Sequence, residues 1–218
     1  MGKTNTAYVC TDCGSEYSRW LGQCTDCKAW NTISEFRQAK LPARGGNYAG
    51  FAGAAINDEA KVQTLDTIDL ADLPRFSSGF IEFDRVLGGG IVPGSAILIG
   101  GEPGAGKSTL LLQTMCSLAT NMPALYITGE ESLQQVAMRA KRLGLPTDKL
   151  KMLSETSVEN ICHIALKEQP KIIVIDSIQV MHMSDVQSAP GSVSQVRESA
   201  AFLTRFAKQH HVAILLVG

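Results

Sequence analysis

The sequence predicts an α/β fold, a three-layer sandwich of helices around a parallel sheet, preceded by a small module built on four cysteines. Three observations predict it. Short continuous apolar runs recur at 96–99, 124–128, 172–175 and 212–217, and strands apolar on both faces belong to parallel sheets covered by helices on both sides. The segments between them carry apolar residues at helical spacing, giving an alternation of strand and helix. Ahead of this region, two C-x-x-C pairs stand within the first 35 residues.

The chain has 218 residues, 44% of them hydrophobic, enough for one substantial core and for one or two domains. We divide it into a four-cysteine module at 1–36, a flexible linker at 37–60 and the α/β core at 61–218. No apolar run approaches the roughly 20 residues of a membrane span. The first six residues hold one lysine and no apolar stretch, so no secretory signal is expected and the compartment is read as cytoplasmic. Six cysteines are then not expected to pair as disulfides. A formal net charge of −1 argues against a protein that coats nucleic acid through bulk positive charge. The basic groups Arg139, Lys141, Arg142 and Arg197, Arg205, Lys208 are expected on solvated helix faces.

Cys10 and Cys13, then Cys24 and Cys27, have the spacing by which two tight turns present four sulfurs to one ion, the pattern of a structural Zn²⁺ site. A redox pair is the alternative, and the duplication favours the metal. Four ligands close the coordination sphere, so this zinc is expected to hold structure rather than activate water. Gly14 suits a knuckle with positive φ, whereas Lys28 holds the matching place after Cys27 and is expected to be accommodated differently. Most of Tyr8, Tyr17, Trp20, Trp30 and Phe36 are expected over the small core, with one or two exposed. The alternative is a base-stacking surface for single-stranded nucleic acid, with Arg19 and Lys28 beside it. The Gly-, Ala-, Asn- and Pro-rich residues that follow have no sustained period and form the linker.

In the core, 80–87 is read as a short helix stopped by Gly88, Gly89 and Gly90, and Pro93-Gly94 turns the chain into the strand 96–99. There follow a helix from Leu110, the strand 124–128, a helix through Leu133, Val136 and Ala140 that Gly144 can cap, and a weaker strand 149–153. A helix from Val158 ends at Pro170, before the strand 172–175, a long helix from Val193 and the strand 212–217. Cys116 and Cys162 fall on apolar helix faces and are read as packing.

Gly101 to Ser108 fits G-x-x-x-x-G-K-[ST] at a strand-to-helix turn. Gly101, Glu102, Pro103, Gly104, Ala105, Gly106, Lys107, Ser108 and Thr109 would cradle phosphates through backbone N–H groups and the helix N-terminus. Lys107 would reach the β- and γ-phosphates and the Ser108 hydroxyl would ligate Mg²⁺. Asp176 ends an apolar strand at the sheet edge where ligands gather, and is expected to hold Mg²⁺ directly or through water. Glu130 and Glu131 are candidates to orient the attacking water. Glu130 is preferred, because Glu131 can begin the next helix and favour its positive end. No Asn-Lys-x-Asp segment is present, so ATP is favoured over GTP.

The four-cysteine module, Phe83 to Gly90, Gly101 to Thr109, Tyr126 to Ser132, Asp176 to Gln179 and Gly191 to Glu198 together resemble the bacterial RadA (Sms) family of DNA repair proteins. The resemblance covers essentially the whole chain. It implies a RecA-like ATPase core, homo-hexameric rings, binding to single-stranded and branched DNA, and branch migration of recombination intermediates in cooperation with RecA, with no membrane partner. It also implies Glu130 as the water-activating residue and a DNA-facing loop at 181–191, where Gln187, Ser188, Gln195 and Arg197 are candidate contacts. Family members continue with a His-Val-Thr-Lys segment, a Lys-Asn-Arg-Phe-Gly motif and a Lon-protease-like domain. The chain is therefore read as an N-terminal fragment whose core is C-terminally truncated, with the cradle strand near an unprotected sheet edge. The expected function is a DNA-dependent ATPase motor. Two other readings remain: an ATP-gated DNA- or RecA-binding scaffold that hydrolysis resets, and a KaiC-like ATPase, which does not account for the four cysteines.

Overall fold

The computed structural model of the chain describes residues 6–37, 64, 66 and 74–218. The linker expected at 37–60 lies outside these residues except for Arg37.

The N-terminal module is a three-stranded antiparallel ribbon of β1 (Thr6–Cys10), β2 (Glu16–Tyr17) and β3 (Ile33–Arg37), in the order β2-β1-β3. Tyr8 faces Tyr17 on one side and Glu35 on the other, and Cys10 faces Ile33. Its buried apolar core is Cys10, Cys24 and Ile33, with Tyr8, Tyr17 and Leu21 packed around it. Trp20 and Trp30 stand out in solvent at 56% and 69% exposure.

The second body is a five-stranded, all-parallel sheet covered by helices on both faces, as expected from its continuous apolar strands. Its elements are α1 (Ile81–Val86), β4 (Ala96–Ile99), α2 (Lys107–Ala119), β5 (Ala124–Thr128), α3 (Leu133–Arg142), β6 (Lys151–Ser154), α4 (Val158–Glu168), β7 (Ile172–Asp176), α5 (Val193–His210) and β8 (Ala213–Val217). The strand order is β4-β8-β7-β5-β6. Because side chains alternate across a strand, Val174, Tyr126 and Leu215 meet Leu111, Leu112 and Met115 of α2 on one face. Ile173, Ile175, Ile127 and Ile214 meet Ile161 of α4 and Leu203 and Phe206 of α5 on the other. Cys116 and Cys162 sit inside these two clusters, and burial pushes the Cys162 thiol up to about 12.

Local signals set most of the boundaries. Ser132, Ser157 and Ser192 are the N-caps of α3, α4 and α5, each accepting a backbone N–H three residues on, and Gln135 completes a capping box at α3. The helix expected to stop at Pro170 ends at Glu168, because Gln169 takes the left-handed conformation at φ 49°. The weaker strand begins at Lys151, two residues later than expected. Gly90 is required by close approach: Phe76 and Ile91 exchange two 2.8 Å backbone hydrogen bonds, and a Cβ on Gly90 would lie 2.6 Å from the Phe76 carbonyl oxygen. Among the described residues β4 is an edge strand, and Leu98 on it is 66% exposed, as the expected sheet edge requires.

Candidate active site and metal centre

The parallel register brings the ends of the central strands level: Thr128 of β5 pairs with Asp176 of β7, and the ladder continues one step as Gly129 N–H donates to the Asp176 carbonyl at 2.9 Å. A Cβ on Gly129 would lie 2.5 Å from Val180 Cγ2, so only glycine lets the turn after β5 lie against the 3-10 turn Ile178–Val180 that follows β7. This packing places Glu130 beside Ser177, whose hydroxyl donates to Glu130 Oε1. Asp176 itself is only 9% exposed, and Oδ2 of its carboxylate accepts from the phenol of Tyr126, a fully buried residue of β5. Burial, and then the neighbouring Asp176 charge, push the Tyr126 phenol far above its ordinary value. The tyrosine is therefore a donor throughout the working pH range.

The two acids after β5 are treated differently. Glu131 forms an ion pair with Arg139 of α3 at 2.9 Å, and its backbone N–H is held by Thr128 Oγ1 at 3.1 Å. Glu130 is solvent-exposed and touched by Ser177. Glu131 is thus occupied by a cation, whereas the Glu130 carboxylate meets only the Ser177 hydroxyl among the described residues.

In the 101–109 loop, Gly101, Gly104 and Gly106 all have positive φ, at 156°, 81° and 89°. Nothing lies within 4 Å of a Cβ built on Gly104 or Gly106, so the space above the loop is open. α2 alone of the four longer helices starts on a glycine with no side chain capping it. The N-terminal N–H groups of α2 are thus offered to an outside acceptor, where those of the other three are met by their own serines. The Lys107 ammonium folds back onto the carbonyls of Gly101 and Glu102, at 2.6 and 3.1 Å. These carbonyls are weak holders beside a phosphate, and the donor set fits a polyphosphate. The oxygens of Ser108 and Asp176 are hard donors suited to Mg²⁺.

In the ribbon the sulfurs of Cys10, Cys13, Cys24 and Cys27 all lie within 4.8 Å of one another. Cys10 and Cys27 are 3.6 Å apart and Cys13 and Cys24 3.5 Å, close to the ~3.8 Å edge of a tetrahedron with Zn–S bonds of about 2.3 Å. The two knuckles are built alike. Gly14 N–H donates to the Cys10 carbonyl and Lys28 N–H to the Cys24 carbonyl, at 2.9 and 3.0 Å. Lys28 is not accommodated differently, contrary to expectation: it adopts φ 63° against 76° at Gly14, and its ammonium donates to the Thr25 carbonyl at 2.7 Å. The Tyr17 hydroxyl holds the Cys24 thiol down to about 6. At Cys27 a backbone hydrogen bond from Ala29 acts to lower the value, yet burial and the neighbouring sulfurs raise it to about 12. Four thiolates so close together need a cation, which is what makes the cluster a metal centre.

The loop expected to face DNA contains a correction. Gln195 is 2% exposed and turned inward. Its Oε1 accepts from Met183 N–H at 3.0 Å, and its Nε2 donates to the carbonyls of Val186 and Ser188, both at 2.9 Å. It has no hydrogen-bonding capacity left for DNA; it holds the loop. Gln187 and Arg197 are exposed, and Ser188 is half-buried, its hydroxyl accepting from Ser192 at 2.9 Å. Glu159 holds the same loop from α4, accepting from the Ser184 N–H and hydroxyl at 2.8 and 2.9 Å. Sequence reasoning missed Tyr126, Ser177, Arg139 and Gln195 as members of these networks. The one local signal was a hydroxyl-bearing ring in the centre of the otherwise apolar run 124–127.

Among the described residues no helix is long and apolar enough to cross a membrane. Comparison with known proteins agrees with both bodies. Residues 64–218 match the AAA domain family, and residues 8–35 match the rubredoxin metal binding domain. The chain is 70% identical over 214 residues to the DNA repair protein RadA of Escherichia coli, covering 97% of this chain and 46% of that protein. To the DNA repair protein RadA of Haemophilus influenzae it is 68% identical, over 98% and 46% of the two chains. To that of Bacillus subtilis it is 44% identical, over 100% and 47%. It thus spans about half the length of the curated relatives it matches. The chain belongs to the AAA domain family, and throughout its length it is a RadA-like member of it.

Proposed function

We propose that the chain, organised as a zinc ribbon at 1–36, a linker at 37–60 and an ATPase core at 61–218, is the N-terminal part of a DNA-dependent ATPase of recombinational repair. The observation that carries the reading is the meeting of Asp176, Ser177 and Glu130 at the carboxyl ends of β5 and β7, on the sheet edge that also bears the glycine loop. Its substrate is ATP. The N–H groups at the start of α2 and the Lys107 ammonium bind the phosphates, the ammonium leaving the Gly101 and Glu102 carbonyls to do so. Ser108 and Asp176 hold Mg²⁺, which when bound neutralises phosphate charge. Glu130 orients the attacking water and accepts its proton. The four cysteines hold one Zn²⁺. The name shared by the RadA relatives, DNA repair protein, supports a role in DNA repair; single-stranded and branched DNA, homo-hexameric rings and RecA as partner belong to the proposal through the family resemblance.

The test is ATP turnover by this chain with and without single-stranded DNA, with Lys107→Ala as the blank. DNA-stimulated turnover lost in Lys107→Ala, at unchanged zinc content, is expected. Turnover retained by the variant, or no higher in the wild type than in the variant, would sink the reading. Strand displacement that persists in Glu130→Gln would replace the motor by an ATP-gated scaffold.

A further inference from the structure

Of the two β5 residues in the apolar cluster between the sheet and α2, Ala124 and Tyr126, only Tyr126 carries a polar group. A phenylalanine would fill the same space without desolvating a hydroxyl, and a buried hydroxyl is costly unless bonded. The hydroxyl has one acceptor, Asp176 Oδ2, two residues further along on the same face of the neighbouring strand. On its other side stands the Glu131–Arg139 pair. Only Nη1 of that guanidinium is bonded, while Nε and Nη2 are buried without a partner.

We propose that Tyr126 is a positioning residue for Mg²⁺: by occupying Oδ2 it fixes the rotation of the Asp176 carboxylate and leaves Oδ1 as the oxygen that meets the ion's hydration shell. The inference rests on the ATP-site reading above. A carboxylate free to rotate offers either oxygen and loses orientational freedom when the ion arrives; one already held by a buried phenol does not.

The test is a Mg²⁺ titration of the binding of a fluorescent ATP analogue to wild type, Tyr126→Phe and Val174→Ala. Val174 pairs with Tyr126 across β7, so its truncation loosens the same core while keeping the hydroxyl. In Tyr126→Phe the affinity in EDTA is expected to stay at the wild-type value, while the Mg²⁺ concentration for half-maximal tightening rises at least threefold. Val174→Ala is expected to keep the wild-type Mg²⁺ dependence. In an Asp176→Asn background, Tyr126→Phe is expected to add no further shift. An unshifted Mg²⁺ midpoint in Tyr126→Phe, or an equal shift in Val174→Ala, overturns the positioning role. Wild-type protein that binds no nucleotide at all overturns the ATP-site reading and this inference with it, a result distinct from an unshifted midpoint.

Discussion

In the ribbon the buried apolar core consists of three residues, two of which are cysteines, whereas the α/β body carries two clusters of sixteen buried residues, one on each face of its sheet. The ribbon's strands run five, two and five residues and pair antiparallel through short knuckles. The body's strands are parallel and joined by helices that bury the intervening faces. So few apolar groups cannot offset the chain entropy of ordering some thirty residues. Metal–thiolate bonds must supply what burial does not. The difference teaches that one chain can be stabilised in two physically different ways, by metal–thiolate bonds in the ribbon and by apolar burial in the α/β body.

The largest expected effect is therefore on the ribbon. A strong chelator, or Cys24→Ser, should unfold it completely, since structural zinc is worth on the order of 10 kcal/mol. Amide exchange would show 6–37 fully exposed while the α/β body melts at its original temperature; a body that melts earlier would show that the two are coupled. Next comes the converse. Leu111→Ala or Ile173→Ala, each in one of the two large clusters, should cost about 2–5 kcal/mol in denaturant unfolding and leave the metal content at one ion per chain.

Gln195→Ala is expected to cost less, about 1–3 kcal/mol, because it strands the Val186 and Ser188 carbonyls and the Met183 N–H. Its signature is local: faster proteolysis and amide exchange in 183–188, with the sheet unchanged. The smallest effect, and the one that sharpens the contrast, is acid sensitivity. Backbone hydrogen bonds from Ser157 and Thr156 hold Glu155 below its ordinary value. At Glu159 burial pushes the other way, but its bonds to Ser184 and the backbone outweigh it. A carboxyl depressed on folding contributes stability above its unfolded value and loses it as pH falls through the folded one, so the body should weaken only below about pH 4. Protons compete with the metal for the ribbon's thiolates, so acid is expected to release the ion before it reaches the carboxyls of the body. Metal release should thus precede the loss of near-ultraviolet circular dichroism from the body in an acid titration. The reverse order would contradict the division of labour.

What was legible in the sequence was whatever is written within one turn or one strand. The cysteine spacing, the glycine loop and the apolar runs at 96–99, 124–128 and 172–175 each involve neighbours along the chain. The preference for Glu130 over Glu131 was argued from helix-end electrostatics together with the family resemblance, whereas the ion pair that Glu131 makes with Arg139 was not legible. Lys28 defeated the local argument, because the second knuckle imposes its own backbone and a hydrogen bond to Thr25 holds the side chain there.

By itself, then, the sequence determined the α/β body with the order of its elements, the four sulfurs ahead of it, the glycine loop before α2 and the acid at the end of β7, since hydrophobic period and ligand spacing act over a few residues. Only the tertiary structure decided which groups hold the site's side chains. Tyr126 reaches Asp176 across 50 positions of sequence and Ser177 reaches Glu130 across 47, because β5 and β7 are adjacent in the sheet. Whether Gln195 faces DNA or its own loop was decided in the same way, by the packing of α5 beneath residues 183–188. A parallel sheet brings strands together only through long crossovers, so the contacts between the ends of β5 and β7 join residues far apart in the chain.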